Sequence, residues 1–197
     1  MTELVGAIWG DLPYRELLLG CGRTRDKRLM CPSNMAQAWL GLVTCDRDAD
    51  AEPDVVLNVE SQVWPWETDT FDEVHAYEVL EHLGRQGDVE SFFFTFADIY
   101  HVLKPGGYLA ATVPSRFSPW LWGDPGHRRA ILPESLHFLN QETYSQCDGL
   151  HPTAMSDYRK LWRGDFIIIR SDDDHRLHRF ILQAVKPSRA APLPRAS

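Results

Sequence analysis

Positive charge is scarce in this chain. Its 197 residues carry 20 Lys and Arg against 28 Asp and Glu, giving a formal net charge of −8 and a pI near 5.4. Sequence-independent nucleic-acid binding rests on neutralising phosphates with Lys and Arg, so nucleic acid is a disfavoured partner. Long apolar runs are missing as well: none approaches the roughly 20 residues that cross a bilayer, and no membrane partner is expected. The opening stretch MTELVGAIWGDLPYRE lacks the basic n-region of a secretory signal. Cys21, Cys31, Cys45 and Cys147 form no CxxC pair and stand at no metal-ligand spacing from histidine. They read as reduced, mostly buried thiols. No metal is expected, and the location that fits is the cytoplasm.

What remains, 44% hydrophobic and 24% charged, is the composition of a globular domain. Short apolar runs at 16–19, 42–45, 55–57, 74–77 and 108–113 alternate with turn signals, and each reads as a buried strand. Phe92, Phe96, Ile99, Tyr100 and Leu103 recur at three- and four-residue steps, which predicts a helix stopped by Lys104-Pro-Gly-Gly107. Strands separated by helices favour a parallel sheet covered on both faces, with a helix reduced or absent in the brief crossover between the second and third strands. The runs 166–170 and 177–185 are separated only by a polar turn, which predicts an antiparallel hairpin. The expected domain is 1–186; residues 187–197 are Pro-, Ala- and Arg-rich and are expected to be disordered.

In open α/β sheets, ligands bind beyond the carboxyl ends of the strands. Gly20 and Gly22 stand there after the first strand, where a missing Cβ permits close backbone approach. Asp46 ends the second strand and can accept hydrogen bonds from both hydroxyls of a ribose, although a turn acid is the plainer alternative. Asn58, after the third, suits an adenine edge, with Glu60 as a substitute and a turn Asn as the alternative. A dinucleotide and S-adenosylmethionine both fit this much. A dinucleotide loop wants a third glycine, and that position holds Arg25.

The series ELLLGCG, TCD, DVVLNVESQVWPWETDTFDEVHAYEVLEHLG and LKPGGYLAATVPS resembles class I S-adenosylmethionine-dependent methyltransferases over about residues 16–115. Within that family the chain is similar to small bacteriophage-type members, which implies host cytoplasm. The resemblance implies an α/β, Rossmann-like three-layer sandwich with some helices reduced. Its mostly parallel seven-stranded sheet would end in the antiparallel hairpin. It also implies S-adenosyl-L-methionine as cofactor. Leu19, Gly20, Cys21 and Gly22 would line its methionine part, Asp46 would hold the ribose, Asn58 and Val59 would meet the adenine, and Tyr77 and Glu78 would flank the sulfonium. Thr24 and Arg25 depart from the family's small-residue continuation. Only about fifteen residues precede the first strand, too few for the family's N-terminal helices.

Methyl transfer from a sulfonium is an in-line displacement in which the protein mainly positions the partners. A base is needed only where the acceptor keeps a proton. The candidates are Glu78 and His82, with Glu81 between them, and His127 in the loop 115–129. That loop also holds Trp120, Trp122, Asp124 and Arg128, and could form an acceptor pocket or merely cover the core. Trp64 and Trp66 are expected to be packing residues, and Asp172–Asp174 a solvated turn. The functional expectation is a methyltransferase acting on a small molecule; the alternative is an inactive cofactor-binding module. A homodimer through the sheet edge or the tryptophan loop is compatible with either.

Overall fold

A computed structural model of the chain describes residues 14–147 and 155–190. Seven strands form one sheet: β1 (Glu16–Leu19), β2 (Leu42–Asp46), β3 (Val55–Val56), β4 (Phe71–Tyr77), β5 (Leu103–Pro114), β6 (Phe166–Asp173) and β7 (Leu177–Ala184). Their order is β3-β2-β1-β4-β5-β7-β6. Pairs from β3 through β5 are parallel, while β7 runs antiparallel to both β5 and β6. The expected hairpin is therefore present, and it closes one edge of the sheet. Strand β5 begins before the Lys104-Pro-Gly-Gly107 stretch rather than after it. Its register against β4 shifts between the Phe71 and Glu73 pairs, which absorbs the extra residues as a bulge.

Helix α1 (Val89–Val102) starts at Asp88, whose carboxylate accepts the Ser91 N–H at 3.0 Å. It buries Phe93, Phe96, Ile99 and Val102 against one face of the sheet, over Leu17, Leu19, Val74, Ala76 and Leu109. Phe92 and Tyr100, assigned to the inner face from the sequence, sit half-buried at its rim. The short helices α2 (Trp120–Gly123), α3 (Pro133–Leu136) and α4 (Gln141–Cys147) follow β5. Leu136 and Tyr144 of α3 and α4 join the same core, as do Trp64 and Trp66, which bears out their reading as packing residues.

The opposite face has no helix among the described residues. Residues 20–41 cross it as an irregular strap, and the β2–β3 crossover holds only a 3-10 turn, Ala49–Ala51. Burial in the strap alternates, with Lys27, Leu29 and Cys31 inside and Arg28, Met30 and Pro32 outside, as an extended segment requires. Its apolar contacts are Leu18, Tyr77, Tyr108, Ala110 and Ile181. Its anchor is charged. Lys27 Nζ lies 2.6 Å from Glu16 Oε1 and 2.9 Å from Glu73 Oε2, all three side chains fully buried. His75 links Glu73 (Nε2 to Oε2, 2.7 Å) to the Tyr77 hydroxyl (Nδ1, 2.6 Å), and that hydroxyl accepts the Arg28 and Leu29 N–H groups. Hydrogen bonds from His75, Tyr14 and Lys27 outweigh desolvation and hold the Glu73 carboxyl down at about 2. Burial keeps His75 neutral by lowering its pKa.

Of the segment expected to be disordered, residues 187–190 lie against the domain, where Arg189 Nε meets the buried Asp165 Oδ2 at 2.7 Å. Residues 191–197 lie outside the described residues. Among the described residues the four cysteines are free, three of them buried. No helix there is long and apolar enough to cross a membrane.

Candidate active site

The strand order reverses between β1 and β4, and the crevice beyond their carboxyl ends is where an open α/β sheet takes its ligand. Gly20 leaves β1 with φ +58°, and a Cβ there would meet Val79 Cγ2 at 2.4 Å. Backbone conformation and contact both require glycine at this position. Gly22 needs its freedom for φ alone (+51°), since space around it is open. Its N–H donates to Asp46 Oδ2 at 2.8 Å, while Asp48 N–H donates to Asp46 Oδ1 at 2.9 Å. The carboxylate is thus held between the turns that end β1 and β2, with acceptor capacity left over.

A cleft of about 220 Å³ opens at this point, lined by Gly20, Asp46, Asn58, Val59, Glu78 and His82 among others. Glu60, lining the same cleft, accepts the Gly84 N–H and forms a two-pronged pair with Arg128 (2.8 and 2.9 Å), which ties the cleft rim to the loop after β5. Asn58 Oδ1 accepts the Glu60 N–H at 3.1 Å, which fixes the amide at the cleft wall.

Four cofactor candidates do not line the cleft: Gly22, which reaches it only through Asp46, and Leu19, Cys21 and Tyr77. Leu19 is buried in the helix-side core and Cys21 in the strap-side core, and neither side chain lines the cleft. Tyr77 shares its face of β4 with Glu73 and His75, and its hydroxyl is committed to the strap, so its side chain is turned from the cleft. Burial pushes its pKa up to about 12. Arg25, standing at the third-glycine position, donates to the carbonyls of Ala51 (2.9 Å) and Glu52 (2.6 Å) and caps the 3-10 turn there. Arg23 is exposed.

Glu78 has φ +57°, the left-handed region that a non-glycine residue enters at a cost of order 1 kcal/mol. Thr112 holds it there: Glu78 N–H donates to Thr112 O (2.8 Å) and Thr112 Oγ1 donates to Glu78 Oε1 (2.8 Å). Glu78 and His82 form a shared wall, because both also line a second cavity of about 550 Å³ with Trp120, Asp124, His127, His175 and Arg176. Trp120 and Trp122 are 67% and 60% exposed, so the loop does not serve to fill the core. The sequence candidates Glu78, His82 and His127 therefore meet in one place. A third, apolar groove between α1 and the α3–Tyr158 region is lined by none of them.

Glu81, named with the candidate bases from the sequence, carries a feature the sequence did not show. It is wholly buried, neither carboxylate oxygen has a hydrogen-bond partner among the described residues, and burial raises its pKa to about 8. The signal was an acid enclosed by apolar neighbours in EVLEHL, directly after a buried strand.

These features define a Rossmann-like α/β protein with the sheet of the S-adenosylmethionine-dependent methyltransferases. Such an enzyme from Archaeoglobus fulgidus superposes with a TM-score of 0.54 at 19% identity, covering 93% of this chain and 94% of that one. The 16S rRNA (adenine(1408)-N(1))-methyltransferase W203A mutant from Catenulisporales acidiphilia gives 0.52 at 16% identity, covering 95% and 93%. At the level of sequence, residues 19–111, just under half of the chain, match a family model described as a methyltransferase domain. No curated protein sequence matches the chain.

Proposed function

We propose that the chain is an S-adenosyl-L-methionine-dependent methyltransferase acting on a small molecule. The observation that carries this reading is the crevice at the strand-order reversal, where the Gly22 N–H fixes the Asp46 carboxylate and the cleft adjoins a second cavity across Glu78 and His82. The residues suit the cofactor. Gly20 lines the cleft at the end of β1, and its left-handed turn sets the backbone that a ligand would meet there. Asp46 keeps lone pairs for ribose hydroxyls, and Asn58 and Val59, which line the same cleft, would meet the adenine. When bound, the cofactor supplies the electrophilic methyl group. The chain's own part is positioning: Gly20 and Gly22 through backbone, Asp46 through its carboxylate, and Glu78 and His82 as the boundary with the acceptor.

The size of the second cavity and the net charge of −8 favour a small-molecule acceptor over nucleic acid. An inactive binding module gains no support from a cleft that opens onto such a cavity. Incubating the protein with labelled cofactor and fractionated cell extract tests the choice. Label is expected in the low-molecular-weight fraction; label confined to RNA or protein would overturn it.

A further inference from the structure

His82 and His127 line the second cavity, and Glu81 lies buried behind them. A wholly buried carboxyl group whose two oxygens have no hydrogen bond among the described residues is costly, and in native structures such a group calls for a partner. Two imidazoles meet it. His127 Nε2 lies 3.9 Å from Glu81 Oε1 and 3.8 Å from Asp124 Oδ2, and the His82 and His127 rings are 4.8 Å apart between centroids. One ligand atom from each of Glu81, His82 and His127 lies within 4.8 Å of the other two.

The histidines are also oriented. His82 Nδ1 is 2.9 Å from Gly126 O and His127 Nδ1 is 3.3 Å from Leu121 O. A carbonyl only accepts, so Nδ1 carries a proton in each ring, which makes Nε2 the atom that can ligate a metal. Backbone-held Nδ1–H groups are how proteins aim metal-bound imidazoles. The loop is locked in place by the Arg128 and Arg129 N–H groups, which donate to Glu81 O at 2.8 and 3.1 Å.

We propose that Glu81, His82 and His127 form a divalent-cation site at the wall of the second cavity, the histidines and Asp124 lining the cavity and Glu81 closing the site from behind. Two imidazoles and one carboxylate with open positions suit a first-row ion such as Mn²⁺, Fe²⁺, Co²⁺ or Zn²⁺ better than Mg²⁺ or Ca²⁺, which prefer oxygen. The open positions face the cavity and take an acceptor hydroxyl, whose proton coordination loosens. The acceptor class is then a hydroxylated small molecule. In the transfer the methyl C–S bond breaks as the C–O bond forms, the sulfonium becomes a neutral thioether, and the hydroxyl proton passes to Asp124 and on to water. This acceptor class rests on the methyltransferase reading; the cation site does not. It also replaces the expectation of no metal, because Glu81, His82 and His127 converge only through the fold. The equally close Cys31, Glu73 and His75 carry no such inference, since Lys27 and Tyr77 already partner Glu73 and His75.

The test is titration of the full chain, treated with chelator and desalted, with Mn²⁺ by calorimetry and with Co²⁺ by visible absorption. One ion per chain is expected, with Kd below about 100 μM and a rise in Tm. Glu81→Met, His82→Ala and His127→Ala are expected to weaken binding at least about tenfold, whereas His101→Ala on α1 leaves it unchanged. In chelator, Glu81→Met melts no lower than the parent, because it removes an unpaired buried carboxylate; that separates a ligand from a structural residue. The proposal is overturned if neither ion binds one-to-one, or if folded Glu81→Met and His127→Ala bind as the parent does. Cofactor titration of the same samples distinguishes the two ideas. Cation binding without cofactor binding sinks the methyltransferase reading and the hydroxyl acceptor; cofactor binding without cation binding sinks the site alone.

Discussion

Lys27→Met tests how the strap is held to the sheet. The substitution keeps most of the side-chain length and removes the ammonium that bridges Glu16 and Glu73, both fully buried. Breaking a buried pair from one side usually costs about 3–5 kcal/mol, because the remaining charge is stranded. Here the lower end is expected. Glu16 keeps the Leu40 and Gly41 N–H groups, and Glu73 keeps Tyr14 and His75. For a domain of this size about 3 kcal/mol corresponds to a fall in Tm of roughly 6–12 °C, readable by circular dichroism at pH 7. The deficit also has a pH signature. With the ammonium gone, the Glu73 carboxyl loses one of the groups that hold it low, so acidification costs the variant less than the parent. The gap to the parent should narrow as pH falls from 5 toward 3. A loss under about 1 kcal/mol, or a gap that widens on acidification, would refute the reasoning.

Further outcomes follow from the same geometry. The parent's Glu73, held at about 2 in the folded state, contributes stability that is complete above the unfolded carboxylate range and lost as pH falls toward 2; urea unfolding at pH 7, 5 and 3 should show it, and Glu73→Gln should flatten the slope. Gly20→Ala meets Val79 Cγ2 at 2.4 Å in a left-handed conformation and should lose about 2 kcal/mol or more of stability, with Gly22→Ala milder by the same melting assay. Tyr77→Phe should lose about 1–3 kcal/mol by unstrapping the Arg28 and Leu29 N–H groups while cofactor affinity stays within twofold by calorimetry; a larger loss of affinity would return Tyr77 to the cofactor site.

Much of this architecture was legible in the chain. Leu17–Leu19, Val43–Cys45 and Val74–Tyr77 are apolar runs too short for helices, and the polar turn between 170 and 177 left room only for a hairpin. Gly20, Gly22 and Asp46 could be placed because strand ends are marked by residue types that strands avoid. The strap could not. Residues 20–41 have no helical period, and what holds them is a charge pair between Lys27 and acids on two separate strands. Arg25 was opaque for a similar reason, since its partners are carbonyls of a distant turn. Tyr77 was readable in principle: alternation in Glu73-Val74-His75-Ala76-Tyr77 puts it on the face of the buried charges. The meeting of Glu81 and His82 with His127 depended on the loop after β5 folding back onto Glu81 O, a backbone contact that no side-chain pattern encodes.

The most direct measurement is calorimetric titration of the full chain and Asp46→Ala with S-adenosyl-L-methionine and its demethylated product. The parent should bind both at one site, and Asp46→Ala, still folded, should bind about 1–3 kcal/mol more weakly, as for lost hydrogen bonds to a charged acceptor. Absence of binding to the parent at millimolar concentration, or equal affinity in the folded variant, would contradict the account.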